Sequence, residues 1–416
     1  MSKQPILTPF LDDIDVILYA GDCIEVMRQM PEASVDAIVT DPPYGLEFMG
    51  RDWDGFGTPL GFQTWTESWA REALRILKPG GHLLAFAGTR TYHRMASGVE
   101  DAGFEIRDCI AWMYGSGFPK SLDVSKAIDK TAGAEREIIG SKLGRPGMAK
   151  DGSNQRNGFD AAFGGDSSGA MATDITAPAT PEAAKWQGWG TALKPAYEPI
   201  VVARKPLVGT VAANVLEHGT GALNIDACRI GSDVIVTTGG KKGGNAYGDW
   251  AEKINSPHVG RWPANIALDA TAAAMLDEQS GERASSPFKA TTDGAQTDRQ
   301  HVSFADLEYS GRGYTDTGGA SRFFYTAKAS RHDRNAGGLA DNTHPTVKPT
   351  ELMRWLIRLV TPPGGIILDP FGGSGSTGLA ARAENVRCIL IEREPEYLQI
   401  IRDRLSQLNL FTEENQ

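Results

Sequence analysis

Two short stretches hold the residues best suited to chemistry. The first is Asp41-Pro42-Pro43-Tyr44. Neither proline has an N–H, so the Asp41 carboxylate and the Pro42 carbonyl are acceptors with no local donor competing for them, and Tyr44 adds a flat stacking face. Two acceptors and a ring suit an exocyclic amino group on a flat heterocycle. The same residues also suit a plain turn, with Asp41 as a surface cap and Tyr44 in the core; alone they do not separate the two readings.

The second stretch is Asp369-Pro370-Phe371-Gly372-Gly373-Ser374-Gly375. Its glycines allow a tight turn and close approach of a ligand to the backbone. Such a loop could hold a dinucleotide, a phosphate or S-adenosylmethionine, or merely turn. Asp369 at its head would repel a pyrophosphate and attract an ammonium, and the Lys-Ser/Thr of a P-loop is absent. Glu392, at the end of the following apolar run, is placed to take ribose hydroxyls. Asp22 follows another such run, where capping a helix is the simpler role.

The surrounding pattern positions both stretches at strand ends. Apolar runs over 14–20, 35–39, 82–87 and 104–113 alternate with helical spacing near 24–30, 64–77 and 92–102. This β-α order predicts a mostly parallel sheet with helices on both faces. Residues 46–62, rich in Gly, Asp and aromatics, read as a loop beside the site. Residues 115–190 break the pattern and read as an insertion, partly disordered or ordered by a partner. A strand resumes at 199–203. Residues 206–340 carry short β-like pieces at 233–237 and 265–268, and Arg322, Lys328, Arg331 and Arg334 lie close to Phe323, Phe324 and Tyr325. Basic residues interleaved with aromatics fit a nucleic-acid face; a solvated surface with some core aromatics is the simpler reading. Thr350 is placed to cap a helix whose apolar stripe is Leu352, Met353, Leu356, Ile357 and Val360.

Composition sets the bounds. The 416 residues are long enough for two or three domains, or one α/β domain with an insertion. A net charge of −10 argues against a nucleic-acid coat protein but not against a local basic groove. The four cysteines form no Cys-x-x-Cys pair and the seven histidines show no ligand spacing, so neither a disulfide framework nor a metal site is expected. With no membrane-length apolar run and no signal-peptide core, the expected setting is the cytoplasm.

Taken together, the Asp41–Tyr44 and Asp369–Gly375 motifs resemble the two hallmark motifs of the DNA amino-methyltransferases. Their order, catalytic motif first and cofactor loop near the C-terminus, resembles the beta class, which includes the cell-cycle-regulated adenine methyltransferases of bacteria. His344-Pro345-Thr346-Val347-Lys348-Pro349 is similar to the segment preceding the cofactor loop there. The resemblance implies an α/β fold, a Rossmann-like S-adenosylmethionine-dependent methyltransferase sheet with an inserted target-recognition region. Residues 1–205 would form the catalytic half, with the 115–190 insertion, 206–340 the recognition region, and 341–416 the cofactor half.

The resemblance also assigns roles. Asp41, Pro42, Pro43 and Tyr44 would be catalytic. Asp369, Phe371, Gly373, Ser374 and Gly375 would line the methionine end of S-adenosylmethionine, with Asp41 alongside. Glu392 would hold the ribose, Asp22 the adenine amino group with Cys23 and Ile24 beside it, and Thr346 and Lys348 the carboxylate. Arg322, Lys328, Arg331 and Arg334 would face double-stranded DNA; a homodimer is expected from the class alone. Aspartate at the first motif position leans to N6 of adenine, with N4 of cytosine as the alternative. No cysteine follows a proline, which sets C5-cytosine chemistry aside. An RNA or protein-glutamine methyltransferase, a catalytically inert DNA-binding module and a nicotinamide oxidoreductase are the competing readings.

Overall fold

A computed structural model describes residues 8–46, 54–117, 119, 121–143, 172–235, 243–245, 248–250, 258–285, 316–327 and 347–413. The chain divides into two compact units, 1–113 with 197–416, and 114–196.

The first unit is built on one ten-stranded sheet. Its strands, in chain order, are β1 (Leu11–Asp12), β2 (Val16–Ala20), β3 (Val35–Thr40), β4 (Leu77–Phe86), β5 (Glu105–Met113), β6 (Tyr197–Arg204), β7 (Ile266–Asp269), β8 (Tyr325–Ala327), β9 (Ile366–Asp369) and β10 (Arg387–Glu392). Across the sheet the order is β1-β2-β10-β9-β3-β4-β6-β5-β7-β8. Pairing is parallel except at β1, and at β6, which runs antiparallel between β4 and β5. The expected α/β, mostly parallel sheet is therefore present. Two pieces of the 206–340 stretch, β7 and β8, extend this sheet in parallel beyond β5.

The order reverses between β9 and β3. From β9 the chain passes to β10 on one side, and from β3 to β4 on the other. Such a switch point leaves a crevice outside the carboxyl ends of the two strands, because the following loops part in opposite directions. Ile367 pairs with Ala37 and Leu368 with Ile38, so the loops after Asp369 and Thr40 start side by side.

Helices α1 (Cys23–Gln29), α2 (Pro59–Ile76) and α3 (Tyr92–Asp101) bury Val26, Met27, Phe62, Trp69, Ala73, Met95 and Val99 against Ile38, Leu83, Leu368 and Ile391. Helix α2 starts a turn before the expected Thr64. Thr58 caps it by accepting from the Gly61 N–H, and Pro59 takes the first position, where its missing N–H costs nothing. β4 likewise starts at Leu77 rather than His82. Lys78–Gly81 lies where its register against β3 slips, Val35 facing Leu77 and Ala37 facing His82.

This unit also holds α4 (Thr350–Val360), α5 (Ser376–Ala383) and α6 (Pro395–Glu413), besides the helices Val211–His218 and Ala270–Ser280. The α4 stripe of Leu352, Met353, Leu356, Ile357 and Val360 is buried as its spacing predicts. Thr350 is not its cap: Pro349 holds the N-cap position with no side-chain bond, and Thr350 is the first helical residue.

In the second unit, helix Val124–Ala132 is capped by Asp123, and strands Ile138–Leu143 and Ala172–Thr176 pair antiparallel. Buried Asp129 ties this unit together, accepting from the Ala179 and Thr180 N–H groups, the Thr180 hydroxyl and Arg136. The insertion expected at 115–190 thus has regular structure within 121–143 and 172–190; its residues 144–171 lie outside the described residues. Among the described residues no helix is long and apolar enough to cross a membrane, and no group of three His, Cys, Asp or Glu is arranged to hold a metal.

Candidate active site

Four carboxylates stand at the carboxyl ends of four neighbouring parallel strands. Asp22 follows β2, Glu392 ends β10, Asp369 ends β9 and Asp41 follows β3. An acidic strand edge attracts ammonium, sulfonium and hydroxyl groups and repels phosphates.

Three of the four also shape the backbone. Asp22 Oδ1 caps α1, accepting from Ile24 N–H at 2.9 Å and Glu25 N–H at 3.2 Å. Glu392 accepts from the N–H groups of Gly373 (2.7 Å), Arg393 and Glu394 (2.8 Å each). Burial pushes its carboxyl above the usual range despite these bonds. Asp369, fully enclosed, accepts from Thr40 Oγ1 at 2.6 Å, Phe371 N–H at 3.0 Å and Thr377 Oγ1 at 2.5 Å. Burial pushes it up to about 7, although those hydrogen bonds pull the other way. Asp369 thus knots the glycine loop to the end of β3.

The loop turns at Gly373 and Gly375, whose φ values of 53° and 79° favour glycine. A Cβ on Gly375 would also meet Ile401 of α6 at 3.2 Å, so close helix packing, besides any ligand, requires glycine there. Arg404 of α6 is fully buried and donates to the Ser374 carbonyl and, at 3.3 Å, to Ser376 Oγ. Ser374 Oγ itself lies 3.3 Å from Ser376 Oγ. The Phe371 ring packs at 5.6 Å from Trp65 and 5.5 Å from Trp69.

The Asp41–Tyr44 corner is held from two sides. Asp54 accepts from the N–H groups of Gly45 (2.7 Å) and Leu46 (3.0 Å). On the other side Lys348 Nζ lies 2.6 Å from Asp41 Oδ2, 3.3 Å from Glu198 Oε2 and 3.2 Å from the Tyr44 hydroxyl. The Tyr44 hydroxyl in turn lies 2.8 Å from Asp41 Oδ1 and 3.0 Å from Glu198 Oε2. Burial alone would depress the Lys348 ammonium, but Asp41 and Glu198 outweigh it and raise it. Burial, Asp41 and Glu198 all raise Tyr44, which stays a hydroxyl. Asp41 has accepted one bond on each oxygen and keeps capacity for more.

The structure therefore brings Asp22, Asp41, Tyr44, Lys348, Asp369, Glu392 and the glycine loop to one edge of the sheet. Pro42 is buried and Pro43 half-buried in the corner; Cys23 is buried beneath Asp22, with Ile24 half-buried next to it. Lys348, expected near the cofactor carboxylate, sits on Asp41, Glu198 and the Tyr44 hydroxyl. Arg322 lies elsewhere: it pairs with Asp316 at 3.1 Å, donates to the Gly319 carbonyl at 2.7 Å and stacks on Phe323, so its guanidinium braces its own turn. Thr346, Lys328, Arg331 and Arg334 lie outside the described residues. Sequence reasoning missed Thr40, Asp54, Glu198, Thr377 and Arg404. Thr40 and Thr377 flank the two motifs singled out from the sequence, Asp54 falls in the loop read at 46–62, and Glu198 lies just ahead of the strand expected at 199–203.

The family model for DNA methylases of the N6 and N4 type matches residues 35–403, and the chain belongs to that family. It is 22% identical to the type II methyltransferase M.HindIII of Haemophilus influenzae, over 93% of this chain and 94% of that protein. It is 38% identical to the type II methyltransferase M.XycI of Xanthomonas campestris pv. cyanopsidis, over 22% of this chain and 34% of that protein. Among solved structures, the cytosine-N4-specific PvuII DNA methyltransferase aligns with a TM-score of 0.42 and 15% identity, covering 94% of this chain and 86% of that one. The protein is thus a DNA amino-methyltransferase, whose family uses S-adenosylmethionine as methyl donor. The acidic strand edge fits that donor, whose sulfonium and ammonium it would attract.

Proposed function

We propose that the protein methylates the N6 amino group of adenine in duplex DNA, with the target base turned out of the helix. The observation that supports this best is the meeting of the Asp41 and Asp369 corners on adjacent strands at the switch point. Glu392, Asp22 and the loop 369–375 would hold S-adenosylmethionine, which supplies a methyl group on a cationic sulfur.

The chain's own residues do the rest. An aromatic amino nitrogen is a poor nucleophile because its lone pair is delocalised into the ring. Asp41 and the Pro42 carbonyl accept its two N–H bonds, which turns the lone pair out of the ring plane. Tyr44 stacks on the extruded base, replacing the neighbours it left. Lys348, Tyr44 and Glu198 fix the Asp41 carboxylate, so acceptors are oriented before substrate arrives. Aspartate at the head of the motif, rather than serine, favours adenine by analogy with the family.

The test is to methylate unmodified duplex DNA with purified protein, digest it to nucleosides and identify the product by mass spectrometry. N6-methyladenine is expected. N4-methylcytosine would move the target base, and no methylated nucleoside would end this reading.

A further inference from the structure

Methylation of an amino group releases a proton, and the cluster behind Asp41 has a place for it. Lys348, Tyr44, Asp41 and Glu198 make five polar contacts, between 2.6 and 3.3 Å. Lys348 as ammonium brings three protons and Tyr44 as hydroxyl brings one. Five contacts share four protons, so the Tyr44 proton has two carboxylate acceptors and can satisfy one at a time.

We infer that Tyr44 and Glu198 form, behind Asp41, the exit for the proton that methyl transfer releases; this rests on the proposed amino-group methylation. The N–C bond forms as the donor's S–C bond breaks, and that electron pair stays on sulfur. The nitrogen, now cationic, gives one proton to Asp41. The Tyr44 hydroxyl gives its proton to Glu198 Oε2 and accepts one from Asp41 Oδ1. The net change is one proton moved from the nitrogen to Glu198, with Tyr44 and Asp41 restored. No oxidant or reductant takes part.

The bound base gives this transfer a direction. Asp41 is 19% and Glu198 22% exposed; the base that Asp41 grips covers Asp41 and leaves Glu198 to pass a proton to water. Among the described residues, the titratable groups of the cluster that faces Glu198 are Asp41, Tyr44 and Lys348. On β5 its pairing partner is Trp112, which brings no charge. Lys348 stays charged throughout and offsets the two carboxylates, so the cluster cycles between net −1 and neutral.

The test uses the whole protein with duplex DNA. Single-turnover methyl transfer is followed across pH, in H2O and D2O, for wild type, Glu198→Gln, Tyr44→Phe and the double variant. Glu198→Gln should slow transfer at least about tenfold, less than the ~10²–10⁴ of a base acting directly, because Asp41 keeps its own share. It should also move the acid limb of the pH profile and reduce the solvent isotope effect. Tyr44→Phe should do the same while keeping its ring. The double variant should be no slower than the slower single, because both cut one path, and Glu198→Asp should recover most of the rate. Infrared spectra taken during a single turnover should show a transient protonated-carboxyl band that Glu198→Gln removes.

A wild-type rate and pH profile in Glu198→Gln, effects of the two variants that multiply, or the absence of that band would each overturn the relay. If Glu198→Gln does not fold, Tyr44→Phe and the wild-type turnover spectra decide. A wild type that methylates no DNA would sink the functional reading and the relay with it, whereas a wild type that methylates DNA while the variants keep its rate and pH profile sinks the relay alone.

Discussion

Thr40 and Asp369, 329 residues apart, share a buried hydrogen bond of 2.6 Å. It joins the ends of β3 and β9 where the sheet order reverses, and so fixes the Asp41 corner against the glycine loop. Thr40→Val keeps the shape and removes the donor. It should cost about 1–3 kcal/mol, because a buried carboxyl oxygen loses a partner. Urea denaturation of the two proteins checks this. An unchanged midpoint would mean that the bond does not hold the corners together.

Asp369 sets a pH dependence. Its carboxyl stands near 7 in the fold against an ordinary 3.8, burial being the main cause. The folded chain therefore binds the proton more tightly. The group's contribution to stability is complete below its unfolded value and is lost as pH rises through about 7. In the cofactor-free protein this slope should span roughly pH 4 to 7 and amount to a few kcal/mol at ~1.36 kcal/mol per unit. Asp369→Asn keeps an acceptor toward Thr40 and Phe371, and its amide can donate to Thr377. Denaturation midpoints at pH 5 and pH 7 should converge in this variant and differ in wild type.

The cysteines should be spectators. Burial, aided by Asp22, pushes Cys23 up to about 12; burial lifts Cys228 to about 12 and Cys388 well above the usual range. Thiolate is the reactive form, so these three should resist alkylation of the native protein at neutral pH. Half-buried Cys109 should label first. Peptide mapping after a short iodoacetamide pulse reads this directly. Methyl transfer should survive the pulse; its loss would reopen a thiol mechanism.

Arg404 holds the cofactor loop from behind, through the Ser374 carbonyl and Ser376 Oγ. Arg404→Met should lower stability by about 1–3 kcal/mol. It should also weaken S-adenosylmethionine binding in calorimetry by about tenfold, or ~1.4 kcal/mol. Lost stability with unchanged affinity would confine Arg404 to the core.

The sheet and both corners were legible because each announces itself locally. Val35–Thr40 and Ile366–Asp369 are apolar runs that stop at proline or glycine. The stripe from Leu352 to Val360 repeats at helical spacing, and all of it is buried. What stayed hidden depends on pairings between distant segments. Glu198 reaches Asp41 only because β6 enters antiparallel between β4 and β5, and nothing near residue 198 encodes that position. The piece read at 265–268 is the strand Ile266–Asp269 on the β5 edge, whereas Tyr325–Ala327 is too short to declare itself a strand until Ile266–Asp269 is there to receive it. The Arg322–Asp316 pair was hidden for a similar reason: it joins residues whose meeting no local pattern announces.

The central claim is that the Asp41 carboxylate activates an amino group beside a donor held by the neighbouring corner. The most direct test is single-turnover methyl transfer to duplex DNA by Asp41→Ala, with S-adenosylmethionine binding measured on the same protein. Transfer should fall by at least ~10²-fold, as when a preorganised polar group is removed from a reacting centre. Cofactor affinity should stay close to wild type. A variant that transfers methyl groups at near wild-type rates would contradict the account.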